Sequence, residues 1–182
     1  MKQQKEFLRK TALLNAIGAA FQRASIYSDS ACKRVAKERL KNDLERHLRC
    51  IEKRYRLPIS SDQHCRNIDK LAKQLSRIHS RVLKDRRFRI GIAQKAVNIY
   101  LKFLWCYGWI HEPPHCPLDS IVLREAGDVS TKWTLLDKIV DYRKVVRKIH
   151  QKFPGKSLSR WELEVYNKRG RSGVQQAAPG DS

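Results

Sequence analysis

The sequence predicts an all-α fold, a compact orthogonal bundle of about seven helices. Three observations lead there. Apolar residues recur at helical spacing through most of the chain. No alternating run bounded by hairpin signals occurs. Breaks fall roughly every 20–25 residues, too often for an elongated coiled coil.

The first helix covers 3–26, where Phe7, Leu8, Ala12, Leu13, Ala16, Ile17, Ala20 and Phe21 share a face. The break "YSDSA" follows, and Ser28 to Ser30 offer cap chemistry to a second helix from Ala31 to about Arg54. Its apolar positions are Val35, Leu40, Leu44, Leu48 and Ile51, heavily interleaved with Lys and Arg. Pro58 ends that stretch, and Ser60, Ser61 or Asp62 caps a third helix over 63–83, with Ile68, Leu71, Leu75, Ile78 and Val82 on one side. The run "KDRRFRIG" leads to a strongly apolar helix from about Ile92 to Trp109.

The loop "GWIHEPPHCPLD" cannot be helix, because its prolines remove donors and block the preceding turn. Helix restarts over Ser120 to Glu125, breaks at "AGDVST", and resumes over 131–152 with Trp133, Leu136, Ile139, Val140, Val145 and Ile149. Ser157 caps a short last helix, "LSRWELEVYN". Residues 1–167 read as one helical domain, and 168–182, poor in bulky side chains, as a disordered tail.

Charge narrows the function. The 182 residues carry 39 Lys and Arg against 18 Asp and Glu, a net charge of +21. Self-repulsion of that size destabilises a compact chain, so a polyanionic partner is the natural reason to keep it. Nucleic acid, duplex DNA first, fits because phosphates reward many basic contacts through counterion release. A helical adaptor for an acidic protein is the weaker alternative. No apolar run reaches the length of a membrane span, which points to the cytoplasm, to the nucleoid, or to a nucleus. The five cysteines contain no CxxC pair and read as reduced thiols. His64-Cys65 and His115-Cys116 lack the ligand spacing of a zinc site. No metal and no cofactor is expected.

The stretch "GIAQKAVN" is the candidate site. Gly91 can adopt positive φ, and Ala93 is small enough for close backbone approach. A turn opening a helix there would present backbone N–H groups to a phosphate. Arg86, Arg87 and Arg89 flank it, and the whole has a helix-hairpin-helix shape that grips backbone without reading sequence. Lys95 follows on the first turn among arginines, a setting that favours a neutral, nucleophilic amine. Asp119 stands behind a proline-rich loop at the start of the next helix, as an N-cap or as a working carboxylate.

Together the two segments resemble the helix-hairpin-helix DNA glycosylase superfamily, in its archaeal-type 8-oxoguanine branch most of all. Gly91, Ile92, Ala93, Gln94, Lys95 and Asn98 fall on the hairpin signature, with Ala93 in place of the second glycine. Leu118, Asp119, Ser120, Val122 and Arg124 fall on the catalytic segment. The resemblance implies that Lys95 attacks the anomeric carbon of a flipped, modified nucleotide. It implies that Asp119 activates the lysine and steadies the developing sugar cation, and that a Schiff base then allows lyase chemistry. Gly91, Ala93, Gln94, Arg124 and the three arginines would hold the strand. Trp109 or His111 would line the base pocket. The alternative is a non-catalytic helical protein that uses the hairpin and its basic surface to hold phosphates.

Overall fold

The computed structural model describes residues 1–22, 24–28 and 34–174, with 169–174 by backbone alone. Seven α-helices form in it: α1 (Lys2–Phe21), α2 (Arg34–Glu52), α3 (Ser61–His79), α4 (Ile90–Cys106), α5 (Ser120–Glu125), α6 (Ile139–Lys152) and α7 (Leu158–Val174). Short 3-10 turns occupy Lys53–Arg56, Lys84–Arg86 and Trp133–Leu135. The described residues contain no strand, only a single antiparallel bridge between Tyr27 and Leu83. The all-α class is as expected.

The organising element is α4. Thirteen of its 17 residues are buried, so it has no solvent face of the usual amphipathic kind and must be surrounded. It packs on α1, α2, α3 and α6. Helix α1 lies most extensively along it and buries Ala12, Leu13, Ala16 and Ala20. A stripe of alanines four residues apart leaves little side chain between the two helices. Glu52 ties three of these elements together. Its carboxylate takes two bonds from Arg9 at 3.1 Å each and one from Tyr100 Oη at 2.9 Å. Burial pushes that carboxyl up, but the bonds from Arg9 and Tyr100 prevail and hold it below the ordinary carboxylate range.

Several boundaries differ from expectation. Helix α3 takes its cap from Ser60, whose Oγ accepts from Gln63 N at 3.2 Å, and it ends at His79. The expected cap over 29–30 lies outside the described residues. Helix α7 continues to Val174, so 168–174, expected as tail, has helical backbone. Positions 175–182 lie outside the described residues. Residues 131–138, expected to open the sixth helix, instead form a loop around the Trp133–Leu135 turn. Their backbone is seated on α4.

That seat is Gly91. It is not in a positive-φ turn; the glycines that are, among described residues, are Gly108, Gly127 and Gly155. Gly91 is the second residue of α4, and its N–H donates to Leu136 O at 2.9 Å. A Cβ at this position would overlap the Trp133 carbonyl. The glycine is required by close backbone approach, not by φ.

Gly91→Ala is therefore expected to lose about 3 kcal/mol or more, since backbone rather than a flexible side chain must move. Gly18, inside α1 with open space where a Cβ would point, is its control: Gly18→Ala should gain about 0.5–1 kcal/mol through helix propensity. Urea unfolding of the two variants reads both signs.

Candidate functional site

Lys95 and Asp119 meet. The Lys95 Nζ lies 3.6 Å from Asp119 Oδ2 and 4.4 Å from the centre of the Trp133 ring. Lys95 is 7% exposed. A carboxylate and an aromatic face thus stand against its ammonium, and both attract a cation. Asp119 Oδ1 accepts from Ile121 N at 2.9 Å and Val122 N at 3.0 Å. One oxygen caps α5, as the N-cap reading expects, and the other faces the lysine. Ser120 Oγ accepts from the Trp133 indole N–H at 3.3 Å. Three segments distant in sequence converge: the second turn of α4, the start of α5, and the Trp133 turn.

Gln94 places Asp119. Its Nε2 donates to Leu118 O at 2.7 Å, and its Oε1 accepts from Leu118 N at 3.0 Å. Gln94 is fully buried, so its expected role on a nucleic-acid strand does not hold. The same correction applies to Gly91 and Ala93. Both are buried, and their amides, expected to be free for phosphate, are committed to Leu136 O and Arg89 O.

The flanking arginines divide. Arg89 is half-buried and bonds both Asp85 and Asp137. Arg87 is exposed but stands 3.8 Å from Asp137. Arg86 is exposed in a tight turn where Asp85 and Arg86 both take left-handed φ of 53° and 57°. Arg124 is exposed on α5. Trp109 and His111 lie beyond the other end of α4. The helix runs on from Lys95 to Cys106 before that end, about 16 Å of rise. Trp109 is covered there by Arg9, 5.2 Å from its ring, and by Tyr107. These two residues do not line a pocket with Lys95. The aromatic that does meet the lysine is Trp133, whose spacing in the sequence predicts a helix instead.

Behind the pair runs a buried polar chain. His115 Nε2 pairs with Ser61 Oγ at 2.7 Å and its Nδ1 with Tyr142 Oη at 2.9 Å. Asn98 Nδ2 donates to Tyr142 Oη and to Gln94 Oε1, each at 3.2 Å. His64 Nδ1 pairs with Tyr55 Oη at 2.7 Å, and the His64 and His115 rings meet edge to face at 4.7 Å. The side chains of Asn98 and His64 also interact, which links the two halves of the chain. Burial lowers both histidines, His115 to about 4. This chain holds the loop of Pro113, Pro114 and Pro117, which supplies few N–H groups of its own. Ser159 Oγ holds it from α7, donating to Pro113 O and His115 O. Burial also pushes the thiols of Cys65 and Cys116 up. Among the described residues, no group of three or more His, Cys, Asp or Glu is placed to hold a metal ion.

A second feature is absent from the sequence-based expectations. On α3, Arg66, Lys70, Lys73 and Arg77 recur at four-, three- and four-residue steps, all exposed. They form a single row about 16 Å long. Lys73 pairs with Asp69; the other three bond no acid among the described residues. Arg81 and Lys84 continue the charge past the helix end. Next to α3, α6 adds Arg143, bound to Asp62, together with exposed Arg147 and Lys148. The signal is present in "CRNIDKLAKQLSR", where the polar positions keep helical spacing as strictly as the apolar ones.

The chain matches no family model, no curated protein and no solved structure.

Two outcomes are expected. Asp119→Asn keeps an oxygen for the cap but removes the carboxylate charge facing the buried Lys95, a loss of about 3 kcal/mol. Asp119→Ala loses roughly 1 kcal/mol more with the cap. Adding Lys95→Met to Asp119→Asn should recover most of the first loss in chemical denaturation. For His115, a folded pKa below the unfolded value means stability is present above pH 6.5 and lost as pH falls toward 4. The full loss is roughly 3 kcal/mol. Glu162, raised by burial, moves stability the opposite way. The measurement is therefore the difference between wild type and His115→Gln, whose acid-side slope should be about one proton shallower.

Proposed function

We propose that the protein is a non-catalytic nucleic-acid-binding protein that holds the phosphate backbone on the α3 face. The observation that carries this reading is the row Arg66, Lys70, Lys73 and Arg77, three of whose four cations pair with no acid among the described residues, in a chain of net charge +21. Acidic side chains neutralise the basic residues of the expected hairpin far more completely. Contacts of this kind position a strand and carry no base readout. Affinity should fall linearly with salt on a double-logarithmic plot. Replacing Arg66, Lys70 and Arg77 together with Ala should flatten the slope by about 3 on duplex DNA. Fluorescence anisotropy with labelled duplexes of unrelated sequence is the measurement. An unchanged slope would remove α3 from the interface, and strong preference for one sequence would refute the backbone mode.

A second reading, base-excision glycosylase and lyase, is favoured by one observation: the 3.6 Å approach of Lys95 Nζ to Asp119 Oδ2. In that reading Lys95 is the nucleophile and Asp119 the activating carboxylate. Borohydride treatment with oxidised, alkylated and deaminated duplexes should then trap a covalent adduct that Lys95→Met abolishes. The burial of Lys95, and its absence from the walls of the neighbouring groove, favour the first reading.

A further inference from the structure

Next to the Lys95–Asp119 pair lies a groove of about 370 Å³ between α5 and the Trp133 turn. Its walls sort by chemistry. Leu123, Val129 and Trp133 supply an apolar floor and side. Ser120, Thr131 and Thr134 supply hydroxyl groups. Arg124 and Lys132 also line it; both are exposed, and neither forms an ion pair among the described residues.

The single acid in the lining, Asp128, does not cancel them. Asp128 Oδ1 accepts from Ser130 N, Ser130 Oγ and Thr131 N, and Oδ2 accepts from Thr131 Oγ1 at 2.6 Å. Those bonds hold its carboxyl below the usual range, and they spend the carboxylate on shaping the loop. The opposite wall is fixed as well. Ser120 follows the α5 cap and receives the Trp133 indole N–H. Trp133 is pinned between Lys95 and the backbone seat at Gly91. The groove is thus an ordered concavity with two available cations, hydroxyl donors on Ser120 and Thr134, and an apolar base. A site of that composition suits a ligand with one anionic end and one flat or apolar end.

We propose that this groove binds the phosphate ester of a single nucleotide, with Arg124 and Lys132 on the phosphate and the sugar or base over Leu123 and Val129. The site is separate from the α3 row and does not depend on it. The nucleotide has two sources, free in solution or the end of a bound strand, and the phosphate chemistry is common to both.

The test uses the full chain and adenosine monophosphate as probe, followed by calorimetry and by tryptophan fluorescence. Saturable binding is expected, with affinity reduced roughly tenfold or more in Arg124→Ala/Lys132→Ala. Adenosine without phosphate should bind at least tenfold more weakly than the monophosphate. Both substitutions are on exposed side chains, and an unchanged unfolding midpoint confirms that the variant is folded. Equal binding of adenosine and its monophosphate overturns the proposal, as does a double variant that binds like wild type. A 5′-phosphorylated oligonucleotide that displaces the monophosphate supports the site and identifies the strand end as its source. A lack of displacement supports it with free nucleotide as the source. The Arg66/Lys70/Arg77 variant separates this result from the α3 reading, since it should lose duplex affinity and keep the monophosphate.

Discussion

Gln94 bonds both the N–H and the C=O of Leu118 from within a helix most of whose buried side chains are apolar. A buried amide side chain is costly unless its groups are satisfied, and here both its oxygen and its nitrogen find backbone. The consequence spreads outward. Leu118 precedes Asp119, so fixing one places the other at the α5 cap and beside Lys95. Asn98, one turn further on, extends the same bonding to Tyr142 and through it to His115. Without this chain the proline-rich loop would have neither register nor reason to be buried. Broken networks of this kind cost more than apolar contacts of equal size, because the orphaned groups remain in a dry interior.

Helix positions are legible in the sequence wherever a cap and an apolar face agree. Helix α5 begins where the proline loop stops and a capping Asp119 stands, and its span matches the expected one. Residues 131–138 mislead because Trp133 and Leu136 keep a helical step. What prevents helix there is Gly91, about forty residues earlier in sequence, whose missing side chain makes a socket for their backbone. Spacing along a chain carries no trace of such a socket. The polar residues of α4 are illegible for a related reason. Gln94 and Asn98 look like surface positions until Leu118 and Tyr142 are seen to meet them. Trp109 and His111 are near Lys95 in sequence, and a rigid helix turns that nearness into distance. The proximity of Lys95 and Asp119 is readable only as a question about two motifs, since no spacing rule brings positions 95 and 119 together.

The charge is unevenly neutralised. On α1 and α2, acids are matched closely to bases: Glu6 with Arg9 and Arg49, Glu38 with Lys41, Asp43 with Arg46, Glu45 with Arg49. Most are exposed pairs of modest individual worth. Even so, α1 and α2 keep a surplus of bases, as α3 and α6 do. What sets the α3 row apart is its regular spacing, which lines four cations along one side of a helix, and an ordered line of charge orients an approaching polyanion before contact.

The main partner of α1 is α4, and about seventy residues lie between them. During synthesis α1 lacks its main cover until Cys106 has left the ribosome. At about 5–20 residues per second that is an interval of several seconds. Slow loop closure over such a separation adds to the delay. The uncovered face carries Leu13, Ile17 and Phe21 beside its alanines, and all three pack against the core in the finished protein. The first helix therefore waits with a substantial apolar face. Its Lys2, Lys5, Arg9 and Lys10 supply the charge that keeps nascent chains apart in the meantime.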